Sequence, residues 1–160
     1  PQPVVWRDAL APDLPQDRHR LAESTAFNGG EGLWLHGDFV YFSTKGDNRI
    51  WAYDIAAQTL EVIYDLATSD NPILSGVDNI TVSDHGDILV AEDGGDMQVV
   101  VLLPDGSLKP LLQIVGQDQS EVAGIAFTPD GRRLYFTSDR GGAMGPGLGI
   151  TYELMLPVGL

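Results

Sequence analysis

Carboxylate and amide side chains stand near the starts of three apolar stretches that the sequence predicts to be strands. If these are the innermost strands of neighbouring β-propeller blades, their starts converge on a central channel. Clustered carboxylate and amide oxygens are the ligands that hard cations such as Ca²⁺ prefer. The pattern therefore predicts a Ca²⁺ site. The simpler alternative is that the side chains only satisfy backbone groups where a strand begins. The residues are Glu31, Asp78, Asn79 and Glu121.

Further charged residues follow the predicted second strand of each repeat. Glu92 opens the acidic run 92–96, and we predict it as another metal ligand, although an acidic solvated turn has the same composition. Lys45 and Arg140 stand at the corresponding places in the other two repeats. We predict that both face a small phosphorylated or anionic substrate, Arg140 through its planar fork and Lys45 as a point charge. The alternative for each is a surface cation paired with a neighbouring aspartate.

Composition excludes several other classes of site. The formal net charge is −14, so a polyanion such as nucleic acid would be repelled. The chain has no cysteine, and His19, His36 and His85 lack the spacing of a zinc site. No segment approaches the run of about 18 apolar residues that a membrane-spanning helix needs. We therefore expect neither a nucleic-acid partner nor a membrane span.

A repeat positions the charged residues. Glu31, Gly76 and Glu121 stand 45 positions apart, and the intervals contain short strands joined by Gly and Asp turns. Intervals of about 40–50 residues with this content are typical of propeller blades. We predict an all-β propeller fold in a single domain or half-propeller over residues 1–160. Its blades are expected at about 32–65, 77–115 and 122–156, with a separate outer strand at 3–7.

Five motifs, which are specific when taken together, cover much of the chain. They are Ala-Phe-Asn-Gly-Gly-Glu-Gly at 26–32, Tyr-Phe-Ser-Thr-Lys-Gly-Asp-Asn-Arg-Ile-Trp-Ala-Tyr-Asp at 41–54, Gly-Val-Asp-Asn at 76–79, Ala-Glu-Asp-Gly-Gly at 91–95 and Phe-Thr-Pro-Asp-Gly-Arg-Arg-Leu-Tyr-Phe at 127–136. With them the chain resembles the carboxy-terminal half of the propeller of the PhoX-type alkaline phosphatase family.

This resemblance implies a six-bladed ring, of which the chain holds half, in a secreted or periplasmic protein. It also implies hydrolysis of phosphate monoesters at Ca²⁺ together with iron, although the family's iron-binding cysteine has no counterpart here. Arg140 would lie near the phosphate. Gly29-Gly30 replace an Arg-Pro typical of the family, so we expect weak or absent turnover by this chain alone. The metal-site residues implied by the motifs are Glu31, Asp78, Asn79, Glu92 and Glu121.

Two other functions fit the same residues. One is a non-catalytic binding or structural module that keeps the propeller and a single Ca²⁺. The other is a lactone hydrolase of the gluconolactonase type, whose propellers also place Glu, Asn and Asp around one divalent ion. Metal content and a phosphatase assay distinguish these functions.

The two ends of the chain suggest an assembly. Residues 3–7 have no hairpin partner nearby in sequence, and the third repeat ends one strand short. We expect a homodimer that closes a six-bladed ring, in which 3–7 of each chain completes the third blade of the other. Such a pair would bury exposed blade faces and satisfy an open sheet edge.

Overall fold

The computed structural model describes residues 1–9, 13, 21–141 and 148–156; His19 and most of the glycine-rich stretch 141–149 lie outside them. Within these ranges the chain forms strands and no helix, so none that could cross a membrane. The predicted all-β fold is confirmed. The strands are β1 (Gln2–Pro3), β2 (Gly30–His36), β3 (Phe39–Thr44), β4 (Arg49–Asp54), β5 (Thr59–Asp65), β6 (Val77–Val82), β7 (Ile88–Glu92), β8 (Gln98–Leu102), β9 (Leu108–Gln113), β10 (Val122–Phe127), β11 (Arg133–Ser138) and β12 (Ile150–Met155).

Three antiparallel sheets correspond to the three predicted blades. The first has the order β1-β5-β4-β3-β2, the second β6-β7-β8-β9, and the third β10-β11-β12. Apart from β1, each blade runs outward from its first strand through short turns. The fold is therefore a β-propeller with three blades in this chain.

The innermost strands of the blades lie side by side. A Cβ atom at Gly32 of β2 would stand 2.5 Å from the Asp78 carbonyl oxygen of β6, so only glycine allows this approach. Ser43 in β3 accepts a hydrogen bond from the Gly32 amide and donates one of 2.5 Å to the Asp78 carbonyl. Asn79 in turn accepts a hydrogen bond from the Gly124 amide of β10. The starts of the inner strands are therefore fixed relative to one another.

Two hydrophobic cores fill the spaces between blades, and the second blade contributes to both. Val90 and Val100 belong to the core shared with the first blade, whereas Leu89 and Val99 belong to the core shared with the third. Successive strand residues point to opposite sheet faces, so a sheet packed on both sides is apolar on both. This explains the uninterrupted apolar run 99–103.

The amino-terminal segment corrects one prediction. Instead of a strand at 3–7 without a local partner, the structure has β1 at Gln2–Pro3, paired antiparallel with Leu60 and Thr59 of β5. The Val4 amide then donates to the Gln58 carbonyl at 2.8 Å. The free outer edge of β5 is an available hydrogen-bonding partner, so the segment is a fifth strand of the first blade. Its expected transfer to the third blade of another chain is wrong for this structure.

The outward faces of the first and third blades differ in polarity. Leu33, Leu35 and Val62, all exposed, lie on one face of the first blade, as the strand registers show. On the third blade the outward face carries the ion pair between Arg133 and Glu153. One end of the blade array is thus apolar and the other polar.

Candidate functional site

Equivalent backbone hydrogen bonds place three chain segments at one end of the inner strands. The amides of Lys45, Asp93 and Asp139 donate to the carbonyls of Gly29, Gly76 and Glu121 respectively. Each bond joins the residue after a blade's second strand to the residue before its first strand. The fold therefore brings the segments after β3, β7 and β11 to the starts of β2, β6 and β10.

Three carboxylates from two blades meet here. Oxygens of Asp78, Asp93 and Glu121 all lie within 4.8 Å of one another. Asp93 and Glu121 also form an isolated antiparallel bridge that joins the second blade to the third. Their side chains are only 12%, 20% and 25% exposed, respectively. We call these three residues the carboxylate cluster.

Two basic side chains contact the carboxylate cluster. The Lys45 ammonium, from the first blade, donates to Asp93 and lies 3.5 Å from Asp78 Oδ2. The Arg140 guanidinium, from the third blade, lies 3.2 Å from both Asp93 Oδ1 and Glu121 Oε2. All three carboxylates are therefore paired with cations.

Arg140 is held by hydrogen bonds to the segment before β10 as well as by its ion pairs. Its backbone amide donates to Ser120 Oγ at 2.8 Å, and its Nε donates to the Gln119 carbonyl at 3.2 Å. A cavity of about 320 Å³, lined by residues 116–120, Arg140 and Gly141, opens beside it. Arg140 thus lies between this cavity and the carboxylate cluster, no member of which lines the cavity.

The ion pairs change the pKa values of Lys45, Asp93 and Arg140. Burial alone would lower the pKa of Lys45, but its hydrogen bond to Asp93 and the charges of Asp93 and Asp78 raise it overall. Burial alone would raise the pKa of Asp93, yet Lys45 and then Arg140 hold it below its usual value. Burial alone would also lower the pKa of Arg140, but Glu121 and Asp93 outweigh it and raise that pKa. All three groups are charged at neutral pH.

The Asn79 side chain contacts the cluster through Asp78. Its Nδ2 donates to Asp78 Oδ1 at 2.5 Å, and its Oδ1 accepts the Gly124 amide at 3.2 Å. The side chain thus orients Asp78 and links the second blade to the third. We predicted Asn79 as a metal ligand, and in this structure both ends of its side-chain amide have protein partners.

Glu92 does not join the cluster. Its side chain is fully buried and accepts hydrogen bonds from the backbone amides of Ser75 (2.8 Å) and Gln98 (3.1 Å). Burial raises the pKa of Glu92, and the two amides only partly oppose that change. Glu92 pairs with Val77 within the sheet and faces the same core, because side chains alternate along the strand. Its predicted place among the channel-mouth oxygens is therefore corrected to an interior one.

Glu31 also lies outside the mutually close carboxylates; it is exposed on β2. The backbone pattern makes Gly29, not Glu31, the counterpart of Gly76 and Glu121. All three blades have a register shift at this point of the first strand, so the bulge does not set the first blade apart. By the backbone hydrogen bonds, the interval from Gly29 to Gly76 is 47 residues (76 − 29) and that from Gly76 to Glu121 is 45 (121 − 76). The strict 45-residue interval therefore misaligned the first blade by two positions, and Glu31 is the counterpart of Asp78.

Asp93 is the cluster member that we did not select from the sequence. It belongs to the acidic run 92–96, and it occupies the place that Lys45 holds in the first blade and Asp139 in the third. This correspondence with Lys45 and Asp139 could have identified Asp93 from the sequence. The sequence placed the end of β7 at Glu92, where the structure has it, but we selected this last strand residue rather than the residue that follows it.

A second cavity is remote from these charges. It has a volume of about 500 Å³ and lies at the other end of the inner strands. Its wall includes Trp34, Thr81, His85, Phe127 and Arg132, and no member of the carboxylate cluster. The chemistry described above is therefore confined to one end of the blades.

Comparison with known protein families assigns the chain to a family. The sequence model described as Alkaline phosphatase PhoX matches residues 55–142, more than half of the chain. The chain belongs to the PhoX alkaline phosphatase family. The matched region contains the whole carboxylate cluster and Arg140, whereas Lys45 lies before it.

Solved structures share the fold. A streptogramin B lyase structure is similar with a TM-score of 0.56 and 24% sequence identity, covering 84% of this chain and 43% of that one. A protein of unknown function from Bacteroides thetaiotaomicron VPI-5482 has a TM-score of 0.56 and 13% identity, covering 73% of this chain and 28% of its own. The chain thus spans less than half of either structure.

Among curated proteins, U3 small nucleolar RNA-associated protein 13 of Saccharomyces cerevisiae is 36% identical over 69 residues. That segment is 42% of this chain and 8% of the yeast protein. The chain therefore corresponds to a small part of that relative's length.

Proposed function

We propose that the carboxylate cluster binds Ca²⁺ and that the chain thereby binds phosphate esters at the channel mouth. The convergence of Asp78, Asp93 and Glu121 carries this proposal. An all-oxygen, anionic donor set fits a hard divalent cation and does not fit a soft one. Membership of the PhoX family supports phosphate as the substrate group. Iron remains a further proposal from the family, without a cysteine ligand in this chain.

The chain's own residues supply binding and orientation in this proposal. Asp78, Asp93 and Glu121 hold the cation, which when bound would offset the negative charge of the phosphoryl group. Arg140 is held at the rim by Ser120 and Gln119, so its guanidinium can bind phosphate oxygens with little loss of freedom. We propose that Lys45 adds a second positive charge beside the phosphate. Asn79 keeps Asp78 oriented.

We propose that turnover by this chain alone is weak. Gly29 lies directly against Lys45, since its carbonyl accepts the Lys45 amide at 2.8 Å. This is where the family resemblance led us to expect Arg-Pro, so one cation is missing beside the cluster. Fewer positive groups stabilise less of the charge that develops on a transferring phosphoryl group.

Calorimetric titration of the whole chain with CaCl₂ tests the cation site. We expect binding to the wild type and at least about tenfold weaker binding to Asp93→Asn, which removes a ligand charge from the cluster centre. Asp96→Asn is the matched control, because Asp96 lies in the same loop but outside the cluster. No Ca²⁺ binding to the wild type, or equal weakening by both substitutions, would overturn the proposal.

A substrate assay then separates the functions. We expect a phosphate monoester to bind in the presence of Ca²⁺ and to turn over slowly, and binding to fall in Arg140→Ala. Efficient turnover would contradict the weak-catalysis proposal. Hydrolysis of a sugar lactone without any effect of phosphate would instead favour the gluconolactonase-type alternative.

We also propose that two chains form a homodimer and complete a six-bladed ring. The support is the apolar outward face of the first blade, where Leu33 is 65% and Leu35 59% exposed. Apolar sheet faces of this kind are normally covered. Native mass measurement should give twice 17.2 kDa, and Leu33→Glu should shift it to the monomer. Val115→Glu, at an 83% exposed loop position, should not; a wild-type monomer at micromolar concentration would refute the ring.

Family membership supports a proposed location. We propose that the protein is secreted or periplasmic, as PhoX family members are. Fractionation of the native host should place it outside the cytoplasm, and recovery solely in the cytoplasmic fraction would contradict this.

A further inference from the structure

Lys45 occupies the space between carboxylates that a bound cation would need. Its ammonium contacts Asp93 and Asp78, which lie on the second blade, while Lys45 itself follows β3 of the first. It lies outside the region matched by the family model. We propose that Lys45 is an exchangeable counter-cation of the carboxylate cluster, which Ca²⁺ displaces on binding. This inference rests on the proposed cation site.

The contacts of the two basic residues show why Lys45, rather than Arg140, is displaced. Arg140 has a guanidinium bound to Asp93 and Glu121 and an Nε bound to the Gln119 carbonyl. The contacts of the Lys45 side chain are with the cluster carboxylates, and a third of the side chain is exposed. Its flexible four-carbon stem lets the ammonium leave the carboxylates for the hydrated rim at low cost, where its charge remains beside the proposed phosphate position.

Charge balance favours the exchange. With Lys45 and Arg140 bound, the three carboxylates carry one excess negative charge. When a divalent cation takes the place of Lys45 and Arg140 stays, the group becomes neutral. Without either cation, three carboxylates within 4.8 Å would repel one another. Lys45 therefore stabilises the metal-free protein and weakens the apparent Ca²⁺ affinity.

Lys45→Met provides the test, because Met replaces the unbranched stem of the side chain and carries no charge. We expect two opposite effects: a lower urea midpoint without Ca²⁺, and about tenfold tighter Ca²⁺ binding by calorimetry, since a partly exposed competitor is removed. Lys109→Met is the matched control. It removes the same charge from an exposed position on β9, and we expect neither effect from it.

A measurement on the wild type does not depend on the variant folding. Lys45 and Lys109 are the lysines of the chain, so reductive ¹³C-methylation, which keeps their charge, gives one NMR signal for each. On addition of CaCl₂ the Lys45 signal should move towards that of a solvated lysine, with Lys109 as the internal reference. An unmoved Lys45 signal at Ca²⁺ saturation would show that Lys45 is not displaced.

The outcomes separate this inference from the function on which it rests. Equal Ca²⁺ affinity in the wild type and Lys45→Met, or weaker binding in the variant, overturns the exchange and leaves the cation site intact. Absence of Ca²⁺ binding to both proteins overturns the cation site itself. A purely structural lysine would lower the urea midpoint on substitution without tightening Ca²⁺ binding.

Discussion

Glu92 and Asp93 are neighbours in sequence, but the fold places them in two regions with opposite electrostatics. Glu92 lies in the interior beside the core between the first and second blades, where two backbone amides are its hydrogen-bond donors. Asp93 lies at the channel mouth between Lys45 and Arg140. The interior raises the pKa of Glu92 by burial; at the mouth, the cations more than offset burial and lower that of Asp93.

This difference separates a structural carboxylate from an available one. The partners of Glu92 are backbone groups that cannot leave without unfolding part of a blade. The partners of Asp93 are side chains at the rim, which can be exchanged for another cation. Partial exposure and side-chain counter-charges, rather than acidity alone, distinguish the proposed cation site from the interior.

The largest effect on stability is expected from removing Glu92, the interior carboxylate. Glu92→Ala removes the acceptor of the partly buried amides of Ser75 and Gln98 and empties a fully buried position, so we expect a loss of about 3–5 kcal/mol in the free energy of unfolding. Asp93→Ala should cost only about 1 kcal/mol, because Lys45 and Arg140 retain other carboxylates. Urea unfolding measures both.

Glu61→Ala is the control for removing a carboxylate as such. Glu61 is exposed on β5, and we expect a change within about 0.5 kcal/mol. Equal losses in Glu92→Ala and Asp93→Ala would contradict the distinction between the two regions.

An intermediate effect is expected from Gly32→Ala, which acts where β2 and β6 lie side by side near the mouth. The added Cβ would stand 2.5 Å from the Asp78 carbonyl oxygen, so β2 and β6 must separate. We expect a loss of about 2–3 kcal/mol and weaker Ca²⁺ binding, because Asp78 moves with β6. Gly30→Ala is the control, since a Cβ added there would meet no atom within 4 Å. A Gly32→Ala variant with unchanged stability and Ca²⁺ affinity would show that this close approach is unimportant.

The smallest expected effect is a difference in pH dependence. The folded pKa of Asp93 is below its usual 3.8, so its contribution to stability is present above that pH and is lost as pH falls through the folded pKa. The folded pKa of Glu92 is above its usual 4.5, so its contribution is present below that pH and is lost as pH rises through the folded pKa.

Urea midpoints from about pH 3 to about pH 7 test the two signs. Relative to the wild type, Asp93→Asn should lose less stability on acidification, and Glu92→Gln should lose less as pH rises above 4.5. The same direction of change in both variants would contradict the comparison.

The sequence by itself determined the fold class and the position of the blades. Strand alternation, Gly and Asp turns and an interval near 45 residues are local properties, and they predicted the strands from Gly30 to Met155 closely. It also indicated Asp78, Glu121, Lys45 and Arg140 as charged residues at strand ends. These predictions succeeded because a repeated blade imposes the same local pattern each time.

Only the tertiary structure decided which of the remaining residues share the site. One step along a strand reverses the side of the sheet, and only the packing of β7 showed that Glu92 faces the core while Asp93 reaches the mouth. The hydrogen bond between the Lys45 amide and the Gly29 carbonyl showed that Glu31 does not align with Gly76 and Glu121, and the free edge of β5 paired with Gln2 and Pro3. These pairings arise from contacts between separate segments, so the local pattern of the sequence does not contain them.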